Sequence, residues 1–170
     1  KAESRARDGG TDHIGPGEKV GSSGRMGAGK STCGRFWLWL YQPADGAVKM
    51  GGVDIRQMDP TDLRSRIGYV SQDNYLFYGT VRENIAFGSM ITDDRMILRA
   101  AHIAGVTDFV RAHPAGFGMP VGERGMCLSG GQRQSVAIAR APLQDPHLLI
   151  MSAPTSNMDN SSEYMFRQRL

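Results

Sequence analysis

The segment "GRMGAGKS", Gly24 to Ser31, constrains this chain more than any other stretch. Its spacing is G-x-x-x-x-G-K-S, and it lies between "EKVGSSG", which reads as a short strand, and a helical pattern from Lys30 to Tyr41. Glycines at these points let successive backbone N–H groups curl around an anion, and the helix start adds its partial positive charge. The plainer alternative is a glycine-rich turn with a chance Lys-Ser pair; the strand before it and the helix after it weigh against that. In the phosphate-binding reading, Lys30 reaches the outer phosphates of a nucleotide and the Ser31 hydroxyl offers a ligand to Mg²⁺. A strand–loop–helix unit of this kind belongs in an α/β sheet protein.

The remaining segments agree with that class. "AVKMGGVDI" reads as two short strands around Gly51 and Gly52, "DPTDLRSRI" as a capped helical turn, and "IGYVSQD" as a strand up to Gln72. Helical periodicity runs from about Thr80 to His113, a helix is expected from Gly130 to Leu143, and "HLLIM" is a strand with a last helix opening near Ser161. With 170 residues the chain is long enough for one domain with a real core. A net charge of +3 is too small to argue for a nucleic-acid partner. The longest apolar run, "FWLWLY" at Phe36 to Tyr41, falls far short of the roughly 20 residues that span a bilayer. Cys33 and Cys127 have neither metal-ligand spacing nor the density of a disulfide scaffold, which fits a reducing compartment.

A second glycine signature stands at "LSGGQRQ", Leu128 to Gln134. Ser129 is suited to cap a helix, and Gly130 and Gly131 leave backbone donors open to an anion. Alone this is only a capped helix. In order, however, the chain carries the phosphate loop, "YVSQD" with Gln72, "VGERG" at Val121 to Gly125, "LSGGQ", the apolar strand, and "SNMD" ending at Asp159. This order resembles the nucleotide-binding (ATPase) domain of ABC transporters across essentially the whole chain. "LFYGTVRENIAFG", "RAHPAGFGMPVGERG" and "MDNSSE" look most like the ATPase of type I secretion systems, exporters of RTX toxins and adhesins.

The resemblance implies a P-loop NTPase core with a mainly parallel sheet, from residues 1–79 and 129–170, and an inserted helical subdomain over 80–128. It implies ATP and Mg²⁺ as ligands. Gly24, Arg25, Met26, Gly27, Ala28, Gly29, Lys30, Ser31 and Thr32 would wrap the phosphates, and Ser31 and Gln72 would hold the metal. Leu128, Ser129, Gly130, Gly131 and Gln132 would face the nucleotide of a second copy, and Asp159 would belong to the loop joining the two sites. The implied partners are the transmembrane domain of the same transporter, contacted through "VGERG", and a second nucleotide-binding domain in a homodimer. The secretion subgroup adds a periplasmic adaptor, an outer-membrane channel, and a place on the cytoplasmic face of a bacterial inner membrane.

The stretch "HLLIMSAPTSNMD" departs from that pattern at its centre. The family places an Asp that orders Mg²⁺ and a Glu that polarises the attacking water where this chain has Ser152 and Ala153. Without a positioned base a reaction typically slows by about 10²–10⁴, roughly 3–5 kcal/mol of barrier. Two readings therefore stand: an exporter ATPase of very weak hydrolysis, or a catalytically silent nucleotide-binding module or degenerate fragment, which pairs with an active partner or acts only as a scaffold. A P-loop kinase or GTPase is disfavoured, because "LSGGQ" has no role there. Ser22 and Ser23 replace strand aliphatics, Cys33 replaces a Leu, and Pro142 is expected to disturb the last turn of the signature helix. No aromatic precedes Phe36 to stack on adenine, and no switch His follows Asp159, so the resemblance implies a domain truncated at both ends. His13, His102, His113 and His147 read as surface or loop residues.

Overall fold

The computed structural model describes residues 11–21, 30–73, 75–89 and 93–152, with 164, 166, 168 and 169. The rest of the phosphate loop (24–29), Ala153 and Asp159 lie outside the described residues, as do the side chains of Lys30 and Ser31. The chain divides into two compact units, Lys1–Leu63 and Arg64–Leu170.

In the first unit, residues 18–21 form no strand, against the expectation for "EKVGSSG". Val20, its one aliphatic, is 58% exposed, so nothing apolar anchors a strand there. Helix α1 spans Lys30–Trp37 and stops four residues short of the expected Tyr41. Its end is a reversal: the Leu40 N–H donates to Arg35 O and the Trp39 N–H to Phe36 O, both at 3.0 Å, with Trp39 at φ 50°. This is the glycine-type helix stop built on a tryptophan. Strands β1 (Lys49–Met50) and β2 (Val53–Asp54) pair antiparallel across Gly51 and Gly52. Both glycines have positive φ, 57° and 83°, as the tight hairpin turn requires. Just after β2, the Arg56 guanidinium hydrogen-bonds Asp54 and holds its carboxyl down to about 2. Helix α2 (Pro60–Ser65) begins with Pro at its first position and is capped by Asp59, whose Oδ1 accepts from the N–H groups of Thr61 and Asp62.

The second unit holds a parallel pair, β3 (Ile67–Val70) and β4 (Leu148–Met151), and helices α3 (Val81–Ala86), α4 (Asp94–Ile103), α5 (Val106–Val110) and α6 (Gly130–Arg140). Thr80 and Glu83 form a reciprocal capping box at the start of α3. On α4 the buried positions are Ile97, Ala100 and Ala101, followed by buried Ala104. That spacing lays one apolar stripe on the core. Val81, Ile85, Val106, Val110, Val136 and Ile138 complete a single core shared by α3 to α6, against which Leu149 and Met151 of β4 pack. Phe166, 3% exposed, closes the same core from the C-terminal segment. Among the described residues no helix is long and apolar enough to cross a membrane.

The signature helix α6 ends at Arg140 rather than Leu143. Its C-cap Ala141 donates back to Ile138 O at 3.1 Å, and Pro142 follows the cap. Pro142 therefore terminates the helix and disturbs no turn, contrary to the expectation from sequence; the missing N–H falls where the ladder has already stopped.

Gly68 sets how closely β3 approaches the connection between α6 and β4. A Cβ there would lie 2.6 Å from Ala141 O, 2.8 Å from Leu149 Cδ1 and 3.0 Å from Pro146 Cγ. The first obstacle is backbone and cannot swing aside. We expect Gly68→Ala to destabilise the fold by about 1–3 kcal/mol, as overpacking does, measured as a lower urea midpoint at unchanged slope.

Candidate functional site

Two strands side by side and parallel must end at the same edge. Val70 of β3 pairs with Met151 of β4, and the ladder runs one step further: the Ser152 N–H donates to Val70 O at 2.9 Å. Ser152 thus lies beside the backbone that leads through Ser71 to Gln72. In open α/β sheets this carboxyl edge is where ligands bind. Gln72 is exposed and Ser152 half-buried, so both are open to a ligand. The Ser71 hydroxyl is occupied locally, donating to Asp73 O at 2.7 Å.

These two residues supply an amide and a hydroxyl. Mg²⁺ prefers oxygen ligands, and carboxylates above all. The donors at the strand ends fit a magnesium ion in kind but not in charge. Among the described residues no group of three or more His, Cys, Asp or Glu side chains gathers to hold a metal. Of the sequence-derived metal ligands, Gln72 is placed at this edge, and the Ser31 side chain lies outside the described residues.

The signature segment forms a second, separate feature of the same unit. Ser129 caps α6: the Gln132 N–H donates to Ser129 Oγ at 3.2 Å, and the Ser129 N–H donates to Gln132 Oε1 at 2.9 Å. Each side chain is thereby locked to the helix start. The N–H groups of Gly130 and Gly131 have no acceptor among the described residues. Two free donors and the positive end of an 11-residue helix make a seat for an anion. Leu128 is buried beneath this turn, and its carbonyl accepts from Arg133 Nη1 at 2.7 Å.

"VGERG" is anchored at both ends and open in the middle. Val121 is fully buried, and its N–H donates to Gly79 O at 2.9 Å, joining the segment to the start of α3. Glu123 and Arg124 are exposed, Arg124 with φ 50°, and Met126 next to them is 78% exposed. His13, His102 and His147 are exposed and His113 is half-buried in a loop, as read from the sequence. The free thiols Cys33 and Cys127 sit half-buried and exposed.

Two residues that sequence reasoning passed over carry the polar heart of this unit. Asn84 of α3 is 1% exposed, and Arg140 of α6 hydrogen-bonds it. The available signal was an arginine inside the otherwise apolar run "VAIARA" of the signature helix.

Comparison with known proteins agrees with this geometry. The family model described as "ABC transporter" matches residues 11–156. Mouse "ATP-binding cassette sub-family B member 10, mitochondrial" is 45% identical over 151 residues, covering 86% of this chain and 21% of that protein. The "Multidrug efflux ATP-binding/permease protein" of Mycobacterium bovis is 45% identical over 143 residues, covering 84% of this chain and 12% of its own length. A solved "Structure of a bacterial Atm1-family ABC exporter with ATP bound" superposes with a TM-score of 0.79 at 38% identity, over 85% of this chain and 26% of that one. The chain thus spans about a fifth or less of the length of these curated relatives. The fold is the α/β P-loop ABC fold, and the chain belongs to the ABC transporter family as a nucleotide-binding domain.

Proposed function

We propose that this chain binds ATP as the nucleotide-binding domain of an exporter and hydrolyses it close to background. The observation that carries this reading is the placement of Ser152 at the carboxyl edge beside the path to Gln72. The edge that should present charge and a base presents a neutral hydroxyl, and the next residue in sequence, Ala153, has no polar side-chain atom. Gly24 to Thr32 would take the phosphates, with Lys30 on the outer ones. Ser31 and Gln72 would hold Mg²⁺, which when bound screens the phosphate charge. Gly130 and Gly131 would offer their free N–H groups to the nucleotide of a second copy, and Asp159 would lie on the loop joining the two sites. Residues 80–128 would form the helical subdomain, with the exposed "ERG" turn facing the transmembrane domain on the cytoplasmic side of the membrane.

A narrower form of this reading makes the chain a type I secretion exporter with protein or peptide cargo, at a bacterial inner membrane, with an adaptor and an outer-membrane channel. It rests on the secretion-like segments alone, whereas the relatives above carry mitochondrial and multidrug names. The silent-module reading is favoured by one specific feature, the uncharged Ser152, and makes the chain the partner of an active domain or a scaffold alone.

The test of nucleotide binding is Lys30→Ala. It removes a charge-assisted contact to phosphate of about 1.5–3 kcal/mol, so affinity should fall roughly 10–100-fold. Titration with a fluorescent ATP analogue reads this directly. Equal affinity of variant and unaltered chain would refute the phosphate-loop assignment.

A further inference from the structure

Arg140 stands at the opposite end of α6 from the Ser129 cap, and its side chain leaves the helix entirely. Its Nη1 donates to Tyr75 O, its Nε to Asn84 O, and its Nη2 to Asn84 Oδ1, at 2.7, 2.7 and 2.8 Å. Asn84 grips the same segment from the other side. Its Oδ1 accepts from the Phe77 N–H at 2.8 Å, and its Nδ2 donates to Phe77 O at 2.9 Å. The rings of Phe77 and Phe87, stacked 3.9 Å apart, each lie 5.6 Å from the guanidinium carbon. The backbone of residues 75–77 is thus clamped between α3 and α6 a few residues after Gln72.

A guanidinium here carries a desolvation cost. Burial lowers the Arg140 pKa, and among the described residues no carboxylate lies beside it to offset the cost. An apolar side chain of similar length would escape that cost but leave the carbonyls of Tyr75 and Asn84 without this donor. What only arginine supplies is direction: a rigid fork that fixes two carbonyls and an amide oxygen at once.

We propose that Arg140 is a positioning residue that fastens the backbone leaving Gln72 to the far end of the signature helix, so that the strand-edge donor and the helix N-terminus at Gly130 and Gly131 shift as one body. This rests on the reading of Gln72 and α6 as the two nucleotide-facing elements. It predicts that disturbance at one nucleotide is felt at the other through α6, with no contact between the two ligands.

The experiment is residue-resolved hydrogen exchange on the unaltered chain, Arg140→Met and Arg140→Lys, each with and without a non-hydrolysable ATP analogue and Mg²⁺. Without nucleotide, exchange at the Phe77 N–H should be about tenfold faster in both variants, while protection of α4 and α5 stays unchanged. Lys keeps the charge but cannot reach three acceptors in a fixed fork, so it should not rescue. With nucleotide, the unaltered chain should slow exchange at residues 71–78 and at the first turn of α6 together, and the variants should slow only the former. Unchanged Phe77 exchange in the folded variants would overturn the proposal. So would protection lost evenly across residues 64–152 in Arg140→Lys, which marks a purely structural role. If Arg140→Met fails to fold, Arg140→Lys decides the matter by the same readouts. An unaltered chain indifferent to the analogue would contradict the nucleotide reading, and the nucleotide-free arm would still decide the tether.

Discussion

Replacing Ser152→Asp and Ala153→Glu together should raise ATP turnover by about 10²–10⁴ over the unaltered chain, the range that a positioned general base contributes. The ladder bond from the Ser152 N–H to Val70 O fixes the register, so an Asp there would emerge at the carboxyl edge beside the route to Gln72. A carboxylate at that position adds the charge that Gln72 and the Ser152 hydroxyl lack. The Glu that follows it can accept a proton from water, which an alanine cannot. Ser152→Asp alone should tighten magnesium-dependent nucleotide binding with little turnover, and Ala153→Glu alone should do little while the metal is poorly held. The pair should exceed the sum of the singles, because both act on one transition state. Steady-state phosphate release from all four proteins gives the comparison. A double variant that folds and binds ATP yet stays at background would place the defect elsewhere than in these two residues.

Gly130→Asp should abolish ATP-dependent pairing while leaving nucleotide binding by the single chain intact. The substitution sets a carboxylate beside the two N–H groups that have no acceptor among the described residues. An acidic residue in the first turn of a helix is favourable for the helix itself, so α6 should remain folded. Against the phosphates of a second copy's nucleotide the same charge is repulsive, and like-charge placement at an interface costs several kcal/mol, a loss of about 100-fold or more in pairing. Sedimentation of the chain with a non-hydrolysable ATP analogue measures it. Undiminished dimers would contradict a composite site built from the signature helix.

What the sequence made legible was local chemistry. Ser129 reads as a helix cap, Gly51-Gly52 as the break between two short strands, and "DPTDLRSRI" as a capped helical turn; each is found as read, and the structure adds Gln132 as the second half of the Ser129 capping box. These features depend on neighbours within a few positions, so the sequence carries them whole. The stop of α1 is different. It places Trp39 in the left-handed region, a choice that no tryptophan announces, so the helical pattern in the sequence runs on to Tyr41. Pro142 is visible in the sequence, but the helical pattern runs on past it to Leu143, and only the structure shows that α6 stops at Arg140, before the proline.

The site was legible in the same uneven way. The sequence offers "IGYVSQD" and "HLLIM" as strands of a mainly parallel sheet; that they are neighbours, and that their register puts Ser152 at the shared edge, comes from the structure. The tie between Arg140, Asn84 and Tyr75 joins residues 56 and 65 positions apart, and no local pattern reports a bond of that span. The close approach at Gly68 is equally silent, since a glycine in a strand reads as weakness until the carbonyl it faces is known.

The fate of bound nucleotide decides whether this chain holds ATP without cleaving it. Incubating it with Mg²⁺ and radiolabelled ATP, then analysing the protein-bound nucleotide over hours, tests this in one measurement. The account predicts label retained with the protein as ATP, and lost from Lys30→Ala. Steady conversion to ADP by the unaltered chain, abolished by Lys30→Ala so that no contaminant explains it, would contradict the account.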